Sequence, residues 1–200
     1  SSKAAVELAV DSWRNSFCIN NDSPSSNLSI GTVRSGNVVG GGDWSTDRIV
    51  PDAVRCLSAG KSIILRNPDS VRPWLHVLDP LSGYLQLAQL LYEFGGSFCD
   101  AFNFGPSSTS KKTVKNLIEE AFKTWPGTYS IESFANDFHE SNMLNLNTDK
   151  AGSFLGWEPL LNFEETVSST VSWYKHVFQG ANPYERCMSD LEAYLLLSDL

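Results

Sequence analysis

Residue types that suit the binding of a phosphate group gather in the segment 37–76. Residues 40–44 read Gly-Gly-Gly-Asp-Trp, and Arg48 follows shortly after them. Arg72 directly precedes the run Pro-Trp-Leu-His at 73–76. A guanidinium group offers a planar fork of N–H donors that meets phosphate oxygens in pairs, and glycine lets the backbone approach a ligand closely. We therefore predict that Arg48 and Arg72 grip a diphosphate, against the alternative of ordinary surface ion pairing.

The elements that must position these residues alternate between helix and strand. Apolar spacing of 3.6 residues predicts helices, and short apolar runs bounded by Gly, Pro or Asn predict strands. Such alternation is typical of an α/β protein with parallel strands. Asn37 follows the first predicted strand, where open α/β sheets bind ligands, although an asparagine there can also simply stabilise a turn. The predicted helices are 3–18, 51–58, 79–92, 114–122, 162–178 and 190–197, and the predicted strands are 28–33, 62–66, 74–77, 101–105, 129–134 and 143–146.

Composition excludes several classes of protein. The 200 residues carry a net charge of −8, with 42% hydrophobic and 19% charged residues, which is typical of a folded domain and unfavourable for a nucleic-acid surface. No apolar run reaches the roughly 20 residues of a membrane helix, and no secretory signal is visible. The four cysteines and three histidines are scattered. This predicts a reduced cytoplasmic protein without a metal site or a disulfide framework.

Several motifs together resemble one enzyme family. Residues 37–44 read Asn-Val-Val-Gly-Gly-Gly-Asp-Trp, residues 66–74 read Arg-Asn-Pro-Asp-Ser-Val-Arg-Pro-Trp, and residues 155–159 read Leu-Gly-Trp-Glu-Pro. These runs resemble the CDP-glucose 4,6-dehydratases, which are extended short-chain dehydrogenase/reductases of the NAD-dependent epimerase/dehydratase group. Residues 1–5, Ser-Ser-Lys-Ala-Ala, are similar to the end of the Tyr-x-x-x-Lys motif of that superfamily. The resemblance extends to about residue 174.

The resemblance implies a fold and a division of the chain. The fold is the C-terminal part of a Rossmann-type parallel sheet together with a small α/β substrate-binding domain. Its implied segments are the end of the NAD-binding domain (1–37), a substrate-binding segment (38–72), a return to the Rossmann domain (73–106), the substrate-binding C-terminal domain (107–180) and a tail (181–200).

The resemblance also assigns roles to individual residues. Lys3 is implied to be catalytic and to hold the nicotinamide ribose, because an ammonium near a tyrosine favours the phenolate, while the backbone of Val38 meets the nicotinamide. On periodicity alone Ile63 and Leu65 belong to a buried strand, and an isolated histidine such as His139 is more often structural. The implied substrate-binding residues are Asn37, Arg48, Ile63, Leu65, Arg72, His139 and Glu140.

The implied reaction converts CDP-glucose to CDP-4-keto-6-deoxyglucose with NAD as a bound cofactor. The sequence contains no Gly-x-Gly-x-x-Gly turn, and the catalytic tyrosine would lie two residues before Ser1. The chain alone is therefore expected to be inactive, and a full-length protein to form a homo-oligomer through the first helix. Two alternatives stay open. One is another NAD-dependent nucleotide-sugar epimerase or dehydratase, and the other is a non-catalytic product that binds a nucleotide or pairs with a subunit.

Overall fold

A computed structural model describes residues 2–18, 28–107, 112–132, 144 and 146–198. The helices are α1 (Ser2–Phe17), α2 (Ile49–Ser58), α3 (Leu78–Phe94), α4 (Val114–Thr124), α5 (Phe163–Phe178) and α6 (Pro183–Ser198). A 3₁₀ turn follows α3 at Gly95–Phe98, and a π-helical turn covers Ala151–Leu155. The strands are β1 (Thr32–Ser35), β2 (Asn37–Val39), β3 (Ile63–Leu65), β4 (Val71–Arg72), β5 (Trp74–His76), β6 (Ala101–Phe104), β7 (Lys112–Thr113) and β8 (Tyr129–Ile131).

Strands that are distant in sequence pair with each other. Within the described residues β1 pairs with β6, β2 with β5 and β3 with β8, all in parallel, while β4 and β7 are antiparallel. Parallel partners need a crossover connection, and helices supply it here. The predicted α/β class with parallel pairing is therefore confirmed.

Among the described residues, two of the three clusters of buried side chains pack helices against β2, β5 and β6. One joins α2, α4 and α5 around Trp74 and Tyr174. The other packs α3 and the π-helical turn on β6, where the rings of Phe104 and Trp157 meet edge to face with centroids 4.9 Å apart. Gly83 lies at this second contact, because a Cβ added there would come within 2.2 Å of the Phe104 ring. Helix α3 thus approaches β6 more closely than any residue with a side chain would allow.

Helix α1 is fastened to the β1–β6 pair by a buried arginine. The Arg14 guanidinium donates to the carbonyl oxygens of Ile30 and Asp100 and to the Thr32 hydroxyl, each at 2.9 Å. The Thr32 hydroxyl in turn donates to the Glu7 carboxylate at 2.9 Å. A single side chain therefore links one helix to both strands of a parallel pair.

Helix starts follow local chemistry where the sequence offers a cap. The predicted capping box of α5 is confirmed, since the Asn162 side chain accepts from the Glu165 N–H and the Glu165 carboxylate accepts from the Asn162 N–H, both at 2.9 Å. Thr113 and Asn116 form the equivalent pair at α4. Each box satisfies N–H groups that a helix leaves without intrahelical partners.

A buried carboxylate ties α6 to the start of α3. Asp79 is fully enclosed, and its Oδ1 accepts from the Tyr194 hydroxyl and from the Leu160 N–H, both at 2.9 Å. Burial raises the pKa of Asp79 above its usual range. The sequence predicts a helix that begins at Asp79, but α3 begins at Leu78, and this carboxylate contacts α6 instead of capping its own helix. The helix thus begins one residue before the predicted start, and the Asp79 carboxylate is engaged by Tyr194 and the Leu160 N–H.

Other boundaries differ from the prediction for identifiable reasons. The first strand is 32–35 and not 28–33, because the pairing with β6 begins only at Thr32. The last helix begins at Pro183 and not near residue 190. Residues 144 and 146 are not in a strand, so the predicted strand at 143–146 is wrong for those two described residues. Across the described ranges, none of the helices combines the length and apolar character that spanning a membrane requires.

Candidate functional site

The glycine turn leaves the sheet at the carboxyl ends of β2 and β5. These strands are parallel, with Val39 opposite His76, and the Val77 N–H donates to the Val39 carbonyl at 2.9 Å. Gly40 comes next in the chain. Ligands of open α/β sheets bind beyond the carboxyl ends of the strands. The loop 40–45, here called the glycine loop, therefore lies where such a ligand would bind.

A tyrosine from α5 holds the inner side of the glycine loop. The Tyr174 hydroxyl donates to the Asp43 carbonyl at 2.7 Å and lies 3.2 Å from the Gly40 carbonyl. The Trp44 ring packs edge to face on the Tyr174 ring, with centroids 5.2 Å apart. Burial first, and the Asp43 charge second, raise the pKa of Tyr174 to about 12. Near neutral pH this phenol therefore keeps its proton and serves as a hydrogen-bond donor to the loop.

The glycine at position 41 is required by a neighbouring indole. Trp173 covers its backbone so closely that an added Cβ would lie 2.1 Å from the Trp173 Cδ2 atom. The Trp173 indole N–H is itself fixed, because it donates to the Cys187 Sγ on α6 at 3.3 Å. The close approach of loop and helix thus explains one glycine of the triplet.

The outer side of the loop is fixed from α2. The Arg55 guanidinium donates to the carbonyls of Trp44 and Ser45, and the Ser45 N–H donates to the Asp43 carboxylate at 2.9 Å. The hydrogen bonds from Ser45 lower the pKa of Asp43 below its usual range. Arg55 and Tyr174 were not among the predicted site residues. Their partners are backbone carbonyls of a distant segment, for which a sequence carries no signal.

Arg48 lies between the glycine loop and α2. It is the residue immediately before the helix, with an extended backbone, and its side chain does not cap the helix. Helix N-termini carry a partial positive charge that attracts anions. The structure therefore places an arginine directly before the partial positive charge of the α2 N-terminus.

Asn37 and Arg72 come together at the other end of the β2–β5 pair. The Asn37 N–H donates to the Pro73 carbonyl at 2.9 Å, which brings Asn37 next to Arg72. The Arg72 guanidinium donates to the Val71 carbonyl at 3.0 Å. Arg48, in contrast, follows the loop that leaves the carboxyl end of β2. Along the chain, Arg72 therefore comes just before the amino end of β5, and Arg48 comes nine residues after the carboxyl end of β2.

Lys3 lies toward the end of β1 that leads into Asn37. Helix α1 runs antiparallel to β1, because Arg14 contacts Ile30 and Thr32 whereas Glu7 contacts Thr32 and lies 3.7 Å from the Arg34 guanidinium. Lys3 is one turn before Glu7 and is exposed. The arrangement orients Lys3 toward the edge of the sheet from which Asn37 and Val38 continue.

Ile63 and Leu65 point into the core. Both side chains are buried in β3 among residues of α2 and α4, whereas Ile64 between them is 50% exposed. A ligand beside this strand would meet the Ile64 side chain or the strand backbone, so the assignment of Ile63 and Leu65 to substrate binding stays a prediction. His139 and Glu140 lie outside the described residues.

His76 is enclosed at the carboxyl end of β5 and has a perturbed pKa. The Leu78 N–H is 3.4 Å from its Nδ1 atom, and the ring borders a cleft of about 600 Å³ between α5 and α6 that Glu165, Arg186 and Asp190 also line. Burial lowers the pKa of His76 from 6.5 to about 4. His76 is therefore neutral at pH 7.

We expect Tyr174→Phe to loosen the glycine loop while leaving the fold intact. The substitution removes one donor from two carbonyls, which corresponds to about 1–2 kcal/mol of unfolding free energy. Hydrogen exchange of the loop amides should accelerate, together with a decrease in stability measured by urea denaturation. Tyr92→Phe is the matched control, because Tyr92 is 92% exposed. Unchanged exchange of residues 40–45 in Tyr174→Phe would contradict the assignment.

We expect acid to destabilise the protein through His76. Its folded pKa of about 4 lies below its ordinary value of 6.5, so the unfolded state binds more protons between these values and stability falls as the pH falls. Between pH 7 and pH 5 this amounts to about 2 kcal/mol. Asp79 acts in the opposite direction because its pKa is raised.

The His76 contribution is isolated by comparing urea denaturation of the native chain and His76→Gln at pH 7 and pH 5. His76→Gln should lose less stability over this interval, by about 2 kcal/mol. The exposed His176, replaced by glutamine, should behave as the native chain does. Equal pH dependence of the native chain and His76→Gln would contradict the prediction.

Comparison with known proteins supports the sequence motifs. The chain is 39% identical over 180 residues to CDP-glucose 4,6-dehydratase of Salmonella typhimurium, which covers 90% of this chain and 50% of that protein. The resemblance to the CDP-glucose 4,6-dehydratases is confirmed. UDP-glucose 4-epimerase of Rhizobium meliloti is 30% identical over 115 residues, or 58% of this chain and 34% of the epimerase. No protein-family model matches the chain.

Solved structures of nucleotide-sugar enzymes share the fold. The chain superposes on dTDP-glucose 4,6-dehydratase of Bacillus anthracis, a complex with NAD, with a TM-score of 0.66 at 20% identity. The match covers 91% of this chain and 53% of that structure. The prediction of a Rossmann-type α/β fold is thereby confirmed. The chain spans about half the length of the dehydratases that it matches.

Proposed function

We propose that this chain is part of an NAD-dependent nucleotide-sugar 4,6-dehydratase that converts CDP-glucose to CDP-4-keto-6-deoxyglucose. The observation that carries the proposal is the 39% identity to CDP-glucose 4,6-dehydratase over 90% of the chain. The reaction oxidises C4 transiently, removes water across C5 and C6, and returns hydride to C6. Water loss becomes feasible because the C4 carbonyl acidifies the proton on C5.

The residues of this chain fit one end of an NAD site. Lys3 is exposed, and it lies on the turn of α1 before Glu7, toward the end of β1 that leads into Asn37, so its ammonium is available to hold a ribose hydroxyl. NAD, when bound, would accept the hydride from C4 and return it to C6. The dinucleotide phosphate turn is not part of this sequence. Lys3 would also favour the phenolate of a nearby tyrosine through its positive charge.

Substrate binding is proposed for Asn37, Arg48 and Arg72, with Ile63, Leu65, His139 and Glu140 as further candidates. Arg48 beside the α2 N-terminus supplies positive charge to a phosphate, and Asn37 next to Arg72 supplies an amide and a second guanidinium. The glycine loop, which precedes Arg48 in the chain, is held by Tyr174 and Arg55. We assign residues 38–72 and 107–180 to the substrate side, and 1–37 and 73–106 to the NAD side.

The test compares this chain with the same chain extended by any coding sequence that is found in frame upstream of Ser1. Each protein is incubated with NAD and CDP-glucose, and products are identified by mass spectrometry as loss of one water. We expect turnover by the extended protein and none by the 200-residue chain. Turnover by the 200-residue chain would refute the proposal that this chain alone is inactive. The absence of water loss with the extended protein would refute the proposed dehydratase activity.

The same assay addresses the alternatives that the relatives raise. The similarity to UDP-glucose 4-epimerase makes a mass-conserving conversion of UDP-glucose the second candidate activity. Parallel incubations with UDP-glucose and dTDP-glucose show which nucleotide the enzyme accepts. Binding of CDP without turnover in any incubation would favour a non-catalytic nucleotide-binding product. Arg72→Met should raise KM for the accepted substrate, whereas the exposed Arg34, replaced by methionine, should not.

We also propose a cytoplasmic homo-oligomer that pairs through α1. The proposal is supported by apolar side chains of α1 that face solvent, with Leu8 75% exposed and Val6 and Trp13 more than half exposed. An exposed apolar surface of this kind marks an interaction site more often than a solvated face. Light scattering coupled to size-exclusion chromatography should show a dimer that Leu8→Glu dissociates. A monomeric native protein would contradict the pairing.

A further inference from the structure

Two cysteines from distant parts of the chain are neighbours near the start of the β1–β6 pair. Cys18 follows the last turn of α1 and is buried, and Cys99 precedes β6 and is half-buried. The Ile30 N–H lies 3.2 Å from the Cys99 Sγ atom and also hydrogen bonds to the Cys18 thiol. After burial, the neighbouring Cys99 thiol is the next cause that raises the pKa of Cys18, so the two side chains are neighbours. Ile30 next to both thiols thus marks one small region of the fold that holds both cysteines.

The backbones that carry these cysteines are also in contact. A Cβ added to Gly96 would lie 3.5 Å from the carbonyl oxygen of Cys18, so the end of α1 touches the 3₁₀ turn before Cys99. Arg14 reinforces this contact by donating to the carbonyl of Asp100 at 2.9 Å. A disulfide requires its two Cα atoms to lie about 4.4–6.8 Å apart. Two touching backbone segments can meet this requirement with side-chain rotation and little backbone movement.

The other two cysteines have different surroundings. Cys187 is exposed and accepts the indole N–H of Trp173, and Cys56 lies on α2. All four are free thiols in the structure. Cys56 and Cys187 therefore provide internal controls for any reaction that depends on the proximity of Cys18 and Cys99.

We propose that Cys18 and Cys99 are a site of reversible oxidation, at which a low-molecular-weight disulfide such as glutathione disulfide converts the two thiols to an intramolecular disulfide. The Cys99 thiolate attacks one sulfur of glutathione disulfide, forming a mixed disulfide and releasing one glutathione thiolate. Cys18 then loses its proton and attacks the Cys99 sulfur, which releases the second glutathione thiolate. Two protein thiols are oxidised and one glutathione disulfide is reduced to two thiols.

The order of attack follows from the environment of each thiol. Burial raises the pKa of Cys18, which leaves little of its thiolate at neutral pH. Cys99 is more accessible to a tripeptide than Cys18 is. Attack by Cys99 followed by resolution by Cys18 is therefore the favoured sequence, because the second step is intramolecular between neighbouring side chains.

The disulfide would lock the end of α1 to the strand pair. Arg14 already makes this connection through hydrogen bonds, and the covalent bond would add a constraint that closes a long loop of the unfolded chain. The proposal does not depend on the proposed enzymatic function, since it concerns only thiols of this chain. It can be tested without a substrate or cofactor.

The experiment treats the 200-residue chain with glutathione disulfide at neutral pH, blocks the remaining thiols with N-ethylmaleimide and digests with trypsin. Each cysteine lies on its own tryptic peptide, and the expected product joins the peptide 15–34 to the peptide 67–111. Cys56 and Cys187 should carry either N-ethylmaleimide or single glutathione adducts. The oxidised chain should also require more urea to unfold than the reduced chain.

Variants and a denatured control make the result decisive. Cys99→Ser should abolish the cross-link and leave Cys18 open to alkylation only on unfolding, whereas Cys56→Ser and Cys187→Ser should retain the cross-link. In urea the preference for the Cys18–Cys99 pair should be lost, because the native contact that creates it is gone. The proposal would be overturned if the native chain carried a glutathione adduct at Cys99 without a cross-link to Cys18. Equal cross-linking among all four cysteines would also overturn it.

Discussion

Gly83→Ala is expected to lower the unfolding free energy by about 2 kcal/mol, although alanine normally stabilises the interior of a helix by about 1 kcal/mol relative to glycine. The new Cβ would lie 2.2 Å from the Phe104 ring and 2.9 Å from the Trp157 indole nitrogen. Phe104 is fully buried, and Trp157 is fixed by its hydrogen bond to the Asp79 carbonyl at 3.2 Å. Neither ring can retreat without opening the core, so α3 must move away from β6.

Urea denaturation measures this effect, with Gly152→Ala as the matched control. An added Cβ at Gly152 would have its nearest neighbour at 3.8 Å, which is ordinary van der Waals contact. The control should stay within about 0.5 kcal/mol of the native chain. If Gly83→Ala were as stable as Gly152→Ala, the close contact of α3 with β6 would be refuted.

Arg14→Leu is expected to cost about 3 kcal/mol and to detach α1 from the β1–β6 pair. The leucine would remove the side-chain donor of the Ile30 carbonyl and leave the Asp100 carbonyl with the Thr32 N–H alone, and hydrogen bonds to charged groups contribute more than neutral ones. Most of α1 faces solvent in this chain, so besides Arg14 the helix is held by the contacts of Glu7 with Thr32 and Arg34 and by the buried Cys18. We expect the α1 amides to exchange with solvent well before the rest of the protein unfolds.

Hydrogen exchange followed by mass spectrometry, combined with urea denaturation, checks this expectation. Arg14→Lys should be intermediate, since an ammonium keeps the charge but lacks the fork that reaches three acceptors. Arg34→Leu is the matched control, because the Arg34–Glu7 ion pair is exposed and such pairs contribute less than about 1 kcal/mol. Native-like protection of α1 in Arg14→Leu would show that apolar contacts, and not the guanidinium, hold the helix.

The sequence predicted those elements whose signals are local. Helix α5 has an apolar stripe and a capping box, so both its start and its end at Phe178 follow from neighbouring residues. Strand β2 has only three residues and is separated from β1 by Gly36 alone. A strand of three residues is too short to show the alternation of apolar and polar residues by which a strand is recognised in a sequence. Its existence depends on pairing with β5, which lies far along the chain.

The candidate site was predicted in its residue types but not in its supports. Arg48 and Arg72 stand out because arginine, glycine and tryptophan occur at a recognisable spacing. Tyr174 and Arg55 do not, because a tyrosine in an amphipathic helix reads as a core residue and an arginine in a helix reads as a solvated one. Their roles arise from the folded path of the glycine loop, whose carbonyls reach them only in three dimensions.

The hydrogen bond between Tyr194 and Asp79 has a consequence for synthesis on the ribosome. The two residues are 115 positions apart, so Asp79 leaves the ribosome long before its partner is translated. Domains fold progressively from the N-terminus as the chain emerges. Until the last helix appears, the nascent protein would carry a carboxylate at the start of α3 that lacks one of its two donors. A premature stop codon before position 194 would make that incomplete state permanent, and quality-control proteases would then meet an unsatisfied buried carboxylate.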